Sequence, residues 1–112
     1  MNSVSLSGRI CSRATITYTQ TGTPRARFIL EVPRARAPSK NDFIPVICWG
    51  ADAAAIRDFT TLTSRVEIRG EIQTFHRDKD DTWDINVVAD FVALPDRIER
   101  RIEAAKEAEN GK

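Results

Sequence analysis

The chain has 112 residues, a formal net charge of +1, and 41% hydrophobic residues. This length fits one domain with a single modest core, and no stretch approaches the roughly 18 consecutive apolar residues of a membrane span. The N-terminus lacks the pattern of a secretory signal, and two cysteines are too few for a disulfide framework or a paired zinc site. We therefore predict a soluble, cytoplasmic protein without membrane contact.

The small net charge conceals a segregation of charge along the chain. Residues 1–50 contain seven basic and two acidic residues, whereas residues 51–95 contain five basic and nine acidic residues. The remaining segment is balanced. A basic half can attract phosphate groups while an acidic half maintains solubility, although a mixed solvated surface would give the same counts.

The N-terminal part predicts the first and second strands, with a short β segment between them. Apolar residues at alternate positions indicate a long strand from Val4 to Ile10, with a bend at Gly8. Residues 15–19 are rich in β-forming residues, and a Gly/Pro turn at 21–24 leads into a further strand. In that strand the inward residues are Ala26, Phe28, Leu30 and Val32, and the outward ones are Arg25, Arg27, Ile29 and Glu31.

Residues 33–41 have the composition of a loop, with two prolines, a serine and three basic residues. We expect a mobile basic flap that carries Arg34, Arg36 and Lys40.

The most informative segment is an alternating apolar run from residue 43 to residue 49. Ile44, Val46 and Cys48 share one face, while Phe43, Ile47 and Trp49 fall on the other. An apolar stripe therefore remains after the core is filled. Such rings can stack on unpaired nucleobases or bury against another subunit.

A helix and a fourth strand follow. Residues 50–59 have high helix propensity, with Asp52 as a candidate N-cap. Residues 65–74 alternate again, and the alternation places Arg69, Phe75 and Arg77 on the outward face.

The C-terminal part predicts a hairpin and a helix. Residues 78–82 form a polar turn, and a fifth strand runs from Trp83 to about Leu94. Asp96 and Glu99 have the spacing of a capping box that opens a C-terminal helix. Its narrow apolar stripe leaves three options: packing on the barrel, pairing with a symmetry mate, or fraying. We divide the chain into a domain at 1–95 and a helical tail at 96–112.

Other notable residues favour structural roles. Phe28, Phe59 and Phe91 are assigned to the core, and Trp83 to the core or an interface. The only histidine, His76, has no neighbouring Cys or His ligands, so neither a metal site nor general-base catalysis is expected. No phosphate-binding loop, dinucleotide fingerprint or nucleophile elbow is present. We predict no enzymatic activity and no cofactor.

The element order is strand, strand, strand, helix, strand, strand. It is typical of the OB-fold, a five-stranded Greek-key barrel. The predicted fold class is therefore all-β with one short helix, an OB-fold barrel followed by a C-terminal helix.

Five segments occur in a recognisable order. They are Asn2-x-Val4-x-Leu6-x-Gly8-Arg9-Ile10, Tyr18-Thr19-x-x-Gly22, Phe28-x-Leu30, the run from Asp42 to Gly50, and Val66-x-Ile68-x-Gly70-x-Ile72-x-Thr74. Together they resemble the bacterial and phage single-stranded-DNA-binding proteins over about residues 1–94. The resemblance implies an OB-fold that binds single-stranded DNA as a homo-oligomer, a tetramer or dimer, with replication or recombination proteins as further partners.

The resemblance also implies site residues. Phe43 and Trp49 fall where the family presents rings that stack on bases. The family often has another aromatic residue at the position of Arg77, whereas this chain offers Phe75 two residues earlier. The loop between the second and third strands contains no aromatic residue, and the glycine-rich tail with its acidic, phenylalanine-ended tip is absent. Recruitment of partners by that tip is therefore not expected.

Basic side chains are expected to contact the phosphates. Arginine suits this role because its planar guanidinium pairs with phosphate and also lies over bases. The candidates are Arg25, Arg27, Arg34, Arg36, Lys40, Arg69 and Arg77.

The predicted function is non-catalytic binding of single-stranded DNA with little sequence preference, in replication, recombination or repair. An OB-fold adaptor similar to the primosomal replication proteins, which acts mainly through protein contacts, is the alternative. An RNA-binding OB module is a third possibility, because stacking tolerates either sugar.

Overall fold

The computed structural model describes residues 1–110 and contains six strands and two helices. The elements are β1 (Val4–Ile10), β2 (Thr15–Tyr18), β3 (Pro24–Arg34), β4 (Ala37–Trp49), α1 (Gly50–Phe59), β5 (Arg65–Arg77), β6 (Thr82–Ala93) and α2 (Pro95–Asn110). Within this described part, no helix combines the length and the apolar composition that crossing a bilayer requires.

Five of the strands close into a barrel in the order β1-β5-β6-β4-β3, and β2 adds to the outer edge of β3. The barrel closes because β1 also pairs with β3, through Arg9 with Glu31 and Ile10 with Leu30. All pairings are antiparallel except β4 with β6, where Val46 lies beside Val87. The predicted five-stranded OB-fold barrel is confirmed, with β2 as an additional short strand.

The bend predicted at Gly8 lies where β1 passes from one neighbour to the other. Gly8 pairs with Val66 of β5, and the following residue, Arg9, pairs with both β5 and β3. A methyl group at Gly8 would collide with the main-chain carbonyl of Glu31. Glycine is therefore required here, because another strand's backbone approaches too closely for any side chain.

The core lies inside the barrel beneath α1. Its fully buried members include Phe28, Leu30, Val46, Cys48, Ile56, Val66 and Ile68. Ala53 and Ile56 of α1 are spaced three residues apart and so share the helix face that contacts the barrel. Burial raises the pKa of the Cys48 thiol to about 12, because a thiolate is costly in apolar surroundings. Cys11 is exposed.

The basic flap is a correction to the sequence analysis. Its residues continue β3 and β4 into a hairpin, which turns at 35–36. Two cross-strand contacts hold it: Arg34 donates to both carboxylate oxygens of Asp42, and the Asn41 amide donates to Glu31 over 2.8 Å. Proline and serine content suggested a loop, but cross-strand pairing extends the sheet, which prolines tolerate where no ladder hydrogen bond is needed.

Two aromatic residues assigned to the core are exposed. Phe91 is 45% exposed because the β5–β6 register shifts between Arg69 and Gly70, so that Phe91 lies opposite Arg69 on the outer face. A bulge reverses the alternation beyond it. Phe59 ends α1 beyond the barrel and is 50% exposed, with the Arg97 guanidinium carbon 3.3 Å from its ring centroid.

Trp83 is also exposed, which rules out its assignment to the core. It continues the inward face of β6, together with Ile85, beyond the end of the barrel. The β5–β6 hairpin projects there as an arm, here called the distal arm (residues 71–85), whose residues are almost all exposed.

Both predicted helix caps are wrong. Asp52 lies in the first turn of α1, because the helix already begins at Gly50 and no side chain caps it. Likewise α2 begins at Pro95, a residue suited to the first helical position. The Asp96 carboxylate instead accepts hydrogen bonds from the main-chain N–H and the Nε of Arg65. The Glu99 side chain and residues 111–112 lie outside the described part.

Candidate functional site

The outer face of β4 presents the two rings that the alternation predicts. Phe43 is 61% exposed and Trp49 is 45% exposed, so their predicted outward orientation is confirmed. Ile47, which lies between them in the alternation, is buried. The two rings are therefore separate flat surfaces at either end of a covered segment.

Basic side chains of β3 lie alongside these rings. Arg25 pairs with Trp49 in the β3–β4 ladder, and its guanidinium carbon is 5.6 Å from the centroid of the Trp49 ring. Arg27 pairs with Ile47 and is exposed. A cation over the face of an indole interacts favourably with the ring quadrupole and leaves the opposite face accessible. This edge of the barrel thus combines an exposed ring with positive charge.

The β3–β4 hairpin extends the positive surface. Arg34 is held by Asp42 at 3.0 Å, and this hydrogen-bonded ion pair raises the pKa of Arg34. Arg36, at the turn, and Lys40 are exposed, and neither has an ion-pair or hydrogen-bond partner among the residues that the structure describes. These two charges are therefore the ones most available to an anion.

The distal arm carries Phe75 and Arg77 on its outer face. Phe75 is 49% exposed, and Arg77 forms an ion pair with Asp84 at 3.2 Å. On the opposite face His76 contacts Trp83, with ring centroids 4.7 Å apart. The tip of the arm is acidic. Its carboxylates are Asp78, Asp80, Asp81 and Asp84.

Arg69 lies apart from β4. It is flanked by Ser5 of β1 and Phe91 of β6, and its guanidinium carbon is 4.7 Å from the Phe91 ring centroid. The structure therefore brings the β3–β4 candidates together on one side of the barrel. It places Phe75 and Arg77 on the arm and Arg69 on β5, between β1 and β6.

One polar residue on this surface was not identified from the sequence. Asn86 is only 6% exposed, and its Oδ1 is the one buried side-chain oxygen or nitrogen without a hydrogen-bond partner in the described residues. The available signal was a single amide within the apolar run Ile85-Asn86-Val87-Val88.

The described residues form a cleft apart from the candidate surface, and they form no metal site. A cleft of about 490 Å³ between β1, β2 and α1 is lined by residues such as Arg13, Ile16 and Ile56, and by none of the candidate side chains. Among the side chains that the structure describes, no three of His, Cys, Asp or Glu converge in a way that could hold a metal ion. The candidate surface is an open sheet face, which suits an extended ligand.

Comparison with known proteins gives a consistent result. Residues 1–94 match the model of the single-strand binding protein family. A single-stranded DNA-binding protein of Clostridium tetani is 37% identical over 99 residues, covering 82% of this chain and 68% of the relative. Single-stranded DNA-binding protein 3 of Clostridium acetobutylicum is 33% identical over 85 residues, covering 72% of this chain but only 59% of the relative.

Solved structures share the fold. The SSB domain of a Synechococcus protein has a TM-score of 0.64 at 22% identity. The match covers 82% of this chain and 93% of the Synechococcus chain. The dimeric N-terminal domain of PriB from Thermoanaerobacter tencongensis also has a TM-score of 0.64, at 21% identity, covering 83% of this chain and 94% of its own.

Proposed function

Because the chain belongs to the single-strand binding protein family, we propose that it binds single-stranded DNA without catalysis and with little sequence preference. Its relatives from two Clostridium species are named for that binding. The role is to protect strands that become exposed in cytoplasmic replication, recombination or repair. A homo-oligomer, a dimer or tetramer, is part of the proposal.

One observation carries this proposal: the exposed ring of Trp49 lies under the guanidinium of Arg25 on the outer face of the barrel. Every base has a π face, so stacking on a ring tolerates any sequence. Phosphates next to that base would contact Arg25 and Arg27, and phosphates farther along the strand would contact Arg36 and Lys40 at the turn end of the β3–β4 hairpin. Phe43, at the other end of the buried segment, offers a second stacking surface.

The other candidates extend the same surface. Phe75 provides a third ring on the distal arm, and Arg27 and Arg34 line the path from Trp49 to the hairpin. Arg69 and Arg77 lie on β5 on either side of Phe75, where a DNA strand that wraps around the barrel would reach them. Arg34 and Arg77 contribute less than Arg36, because each already has a carboxylate partner.

A fluorescence titration tests the proposal. The chain contains two tryptophans, so a Trp83→Phe variant leaves Trp49 as the only one. Stacking of oligo-dT on Trp49 is expected to quench its emission. Repeating the titration across a salt series should give a linear decrease of log K with log salt concentration, because bound phosphates release counterions. Unchanged emission together with no measurable binding would refute the proposal.

Two alternatives remain distinguishable. The likeness to the PriB domain concerns the fold alone, so a primosomal-type adaptor is tested by comparing pull-down of replication-restart helicases with an oligo-dT gel shift. Competition between matched ribo- and deoxyribo-oligomers tests the RNA-binding alternative. Light scattering after size-exclusion chromatography measures the oligomeric state.

A further inference from the structure

Asn86 has a buried side-chain oxygen that lacks a hydrogen-bond partner, although buried polar atoms normally have one. Its Oδ1 is buried and accepts no hydrogen bond from the protein. The large majority of buried side-chain polar atoms are paired, and an unpaired one carries the cost of hydrogen bonds to water that are lost and not replaced. An apolar residue would fill this place in β6 without that cost. No contact within the described part of the protein therefore explains why an amide occupies this position.

The strand pairing shows which way Asn86 points. It lies opposite Gln73 in the β5–β6 ladder, and on β6 it is one alternation step from Val88, which pairs with Ile47 of β4. Directly opposed residues share a face of the sheet. Asn86 thus belongs to the outer face, the same face that carries the rings of Phe43 and Trp49.

The neighbour best placed to donate to Asn86 does not do so. The Gln73 amide nitrogen donates to Glu71 along its own strand, over 3.2 Å. No described residue donates to the Asn86 oxygen, so a donor would have to approach from outside the sheet after the buried oxygen has turned outward. Rotation about the terminal side-chain torsion, which is broad for asparagine, can turn the oxygen towards such a donor.

An exposed ring lies within reach of that position. Phe75 is opposite Asp84, two residues from Asn86 along β6, and such diagonal neighbours on one face are about 7–8 Å apart. A nucleobase is of similar length. A base stacked on Phe75, which is 49% exposed, would therefore bring its hydrogen-bonding edge over Asn86.

We propose that Asn86 reads the edge of a base stacked on Phe75, with Oδ1 accepting a hydrogen bond from the base's exocyclic amine. The inference rests on the proposed binding of single-stranded DNA and adds a partial base preference to it. An amino group presents N–H donors at the rim of the ring, as asparagine exploits when it reads adenine. In thymine and uracil the single imino N–H lies between two carbonyl oxygens, which repel an approaching acceptor.

Cytosine and uracil provide the sharpest comparison, because at neutral charge they differ in the amino or carbonyl group and the adjoining ring proton. We would measure the affinities of the full chain for oligo-dC and oligo-dU of equal length, at slightly alkaline pH and fixed salt. The quantity of interest is the dU-to-dC ratio of dissociation constants. Asn86→Leu should lower this ratio roughly two- to tenfold relative to the unaltered protein, the range expected for one net hydrogen bond.

Two controls make the test specific. Gln73→Leu, on the same face and directly opposite, should leave the ratio unchanged. Replacing cytosine by N4,N4-dimethylcytosine removes both amino protons while keeping the ring. It should weaken binding to the unaltered protein and make no further difference to Asn86→Leu. This second arm needs no variant to fold and can decide the question alone.

The outcomes separate this inference from the proposed function. Failure of both oligo-dC and oligo-dU to bind would refute the binding function itself. Binding of both with a ratio that Asn86→Leu does not change would overturn the role of Asn86 and leave the function intact. A lowered melting temperature of the free variant with an unchanged ratio would assign Oδ1 to an internal water and overturn it equally.

Discussion

The guanidinium carbon of Arg25 lies 5.6 Å from the centre of the Trp49 ring, across the β3–β4 ladder in which the two residues are direct partners. The arrangement covers one side of the indole with positive charge and leaves the ring 45% exposed. A base that stacks on the free surface would therefore have its phosphate close to a cation.

Removing the two rings of β4 should weaken DNA binding strongly. We expect the Phe43→Ala, Trp49→Ala double variant to raise the dissociation constant for oligo-dT by about one to four orders of magnitude, because each stacked base contributes about 1–3 kcal/mol. Its melting temperature should change little, since both rings are exposed. Phe59→Ala, which removes an equally exposed ring from the end of α1, is the matched control; equal losses in both variants would contradict the assignment.

The unpaired cations of the β3–β4 hairpin should determine how strongly DNA binding depends on salt concentration. Replacing Arg36 and Lys40 by Gln removes two charges, and the slope of log K against log salt should fall by about 1.4, since each phosphate contact on a single strand contributes about 0.7. Arg34→Gln should have a smaller effect. Asp42→Asn, which frees Arg34 from its ion pair, should increase affinity at low salt. A decrease would show that the pair is needed to shape the hairpin.

Gly70 should be as sensitive as Gly8, because β6 lies directly beside it. A methyl group there would meet the main-chain carbonyl of Val88. Forced overpacking costs about 1–3 kcal/mol, so Gly70→Ala should lower the free energy of unfolding by at least that much in chemical denaturation. Ser7→Ala, which changes an exposed residue of β1, serves as the control. Equal stability of Gly70→Ala and the unaltered protein would mean that β6 can shift away.

The docking of α2 should depend on pH. Hydrogen bonds from Arg65 lower the pKa of Asp96 below its ordinary value of 3.8. A carboxylate with a lowered pKa in the folded state stabilises it above that ordinary value, and the contribution is lost as the pH falls through the lowered pKa. Asp96→Asn should remove this part of the acid dependence of thermal unfolding. Glu103→Gln, an exposed carboxylate of α2, should leave it intact.

The two cysteines should react very differently with a thiol reagent. Cys11 is exposed, whereas Cys48 is buried and its pKa is raised to about 12. Reaction requires the thiolate, so the native protein should react at one site per chain and the unfolded protein at two. A Cys11→Ser variant that still reacts rapidly in the native state would contradict this.

Alternation predicted the individual strands and the outward rings because both depend on local geometry, whereas the barrel was predicted from the order of the elements and the family resemblance. A period of two assigns Phe43 and Trp49 to one face whatever the partner strands are. Phe91 could not be assigned in this way, because the bulge opposite Gly70 depends on how two distant strands pair. The extension of the β3–β4 hairpin through residues 33–41 was missed for a similar reason, because it depends on cross-strand contacts such as Arg34 with Asp42.

Whether a buried polar side chain has a hydrogen-bond partner is harder still to infer from a sequence. In the sequence Asn86 is only a polar residue within an apolar run. Its pairing with Gln73 and the burial of its oxygen, which mark it as unusual, are visible only in the structure. The roles of the ring, arginine and lysine candidates on DNA stay predictions, because position alone does not measure binding.

The passage of β1 from β5 to β3 at Gly8 also bears on how quickly the chain can reach its native state. Val4 must find Gly70, and Ile10 must find Leu30, so the first strand is secured only after residues far along the chain have arrived. High contact order of this kind slows folding. We infer that β1 of a nascent chain has no β5 partner until β5 has been synthesised. We also infer that refolding is slow compared with helical proteins of similar size.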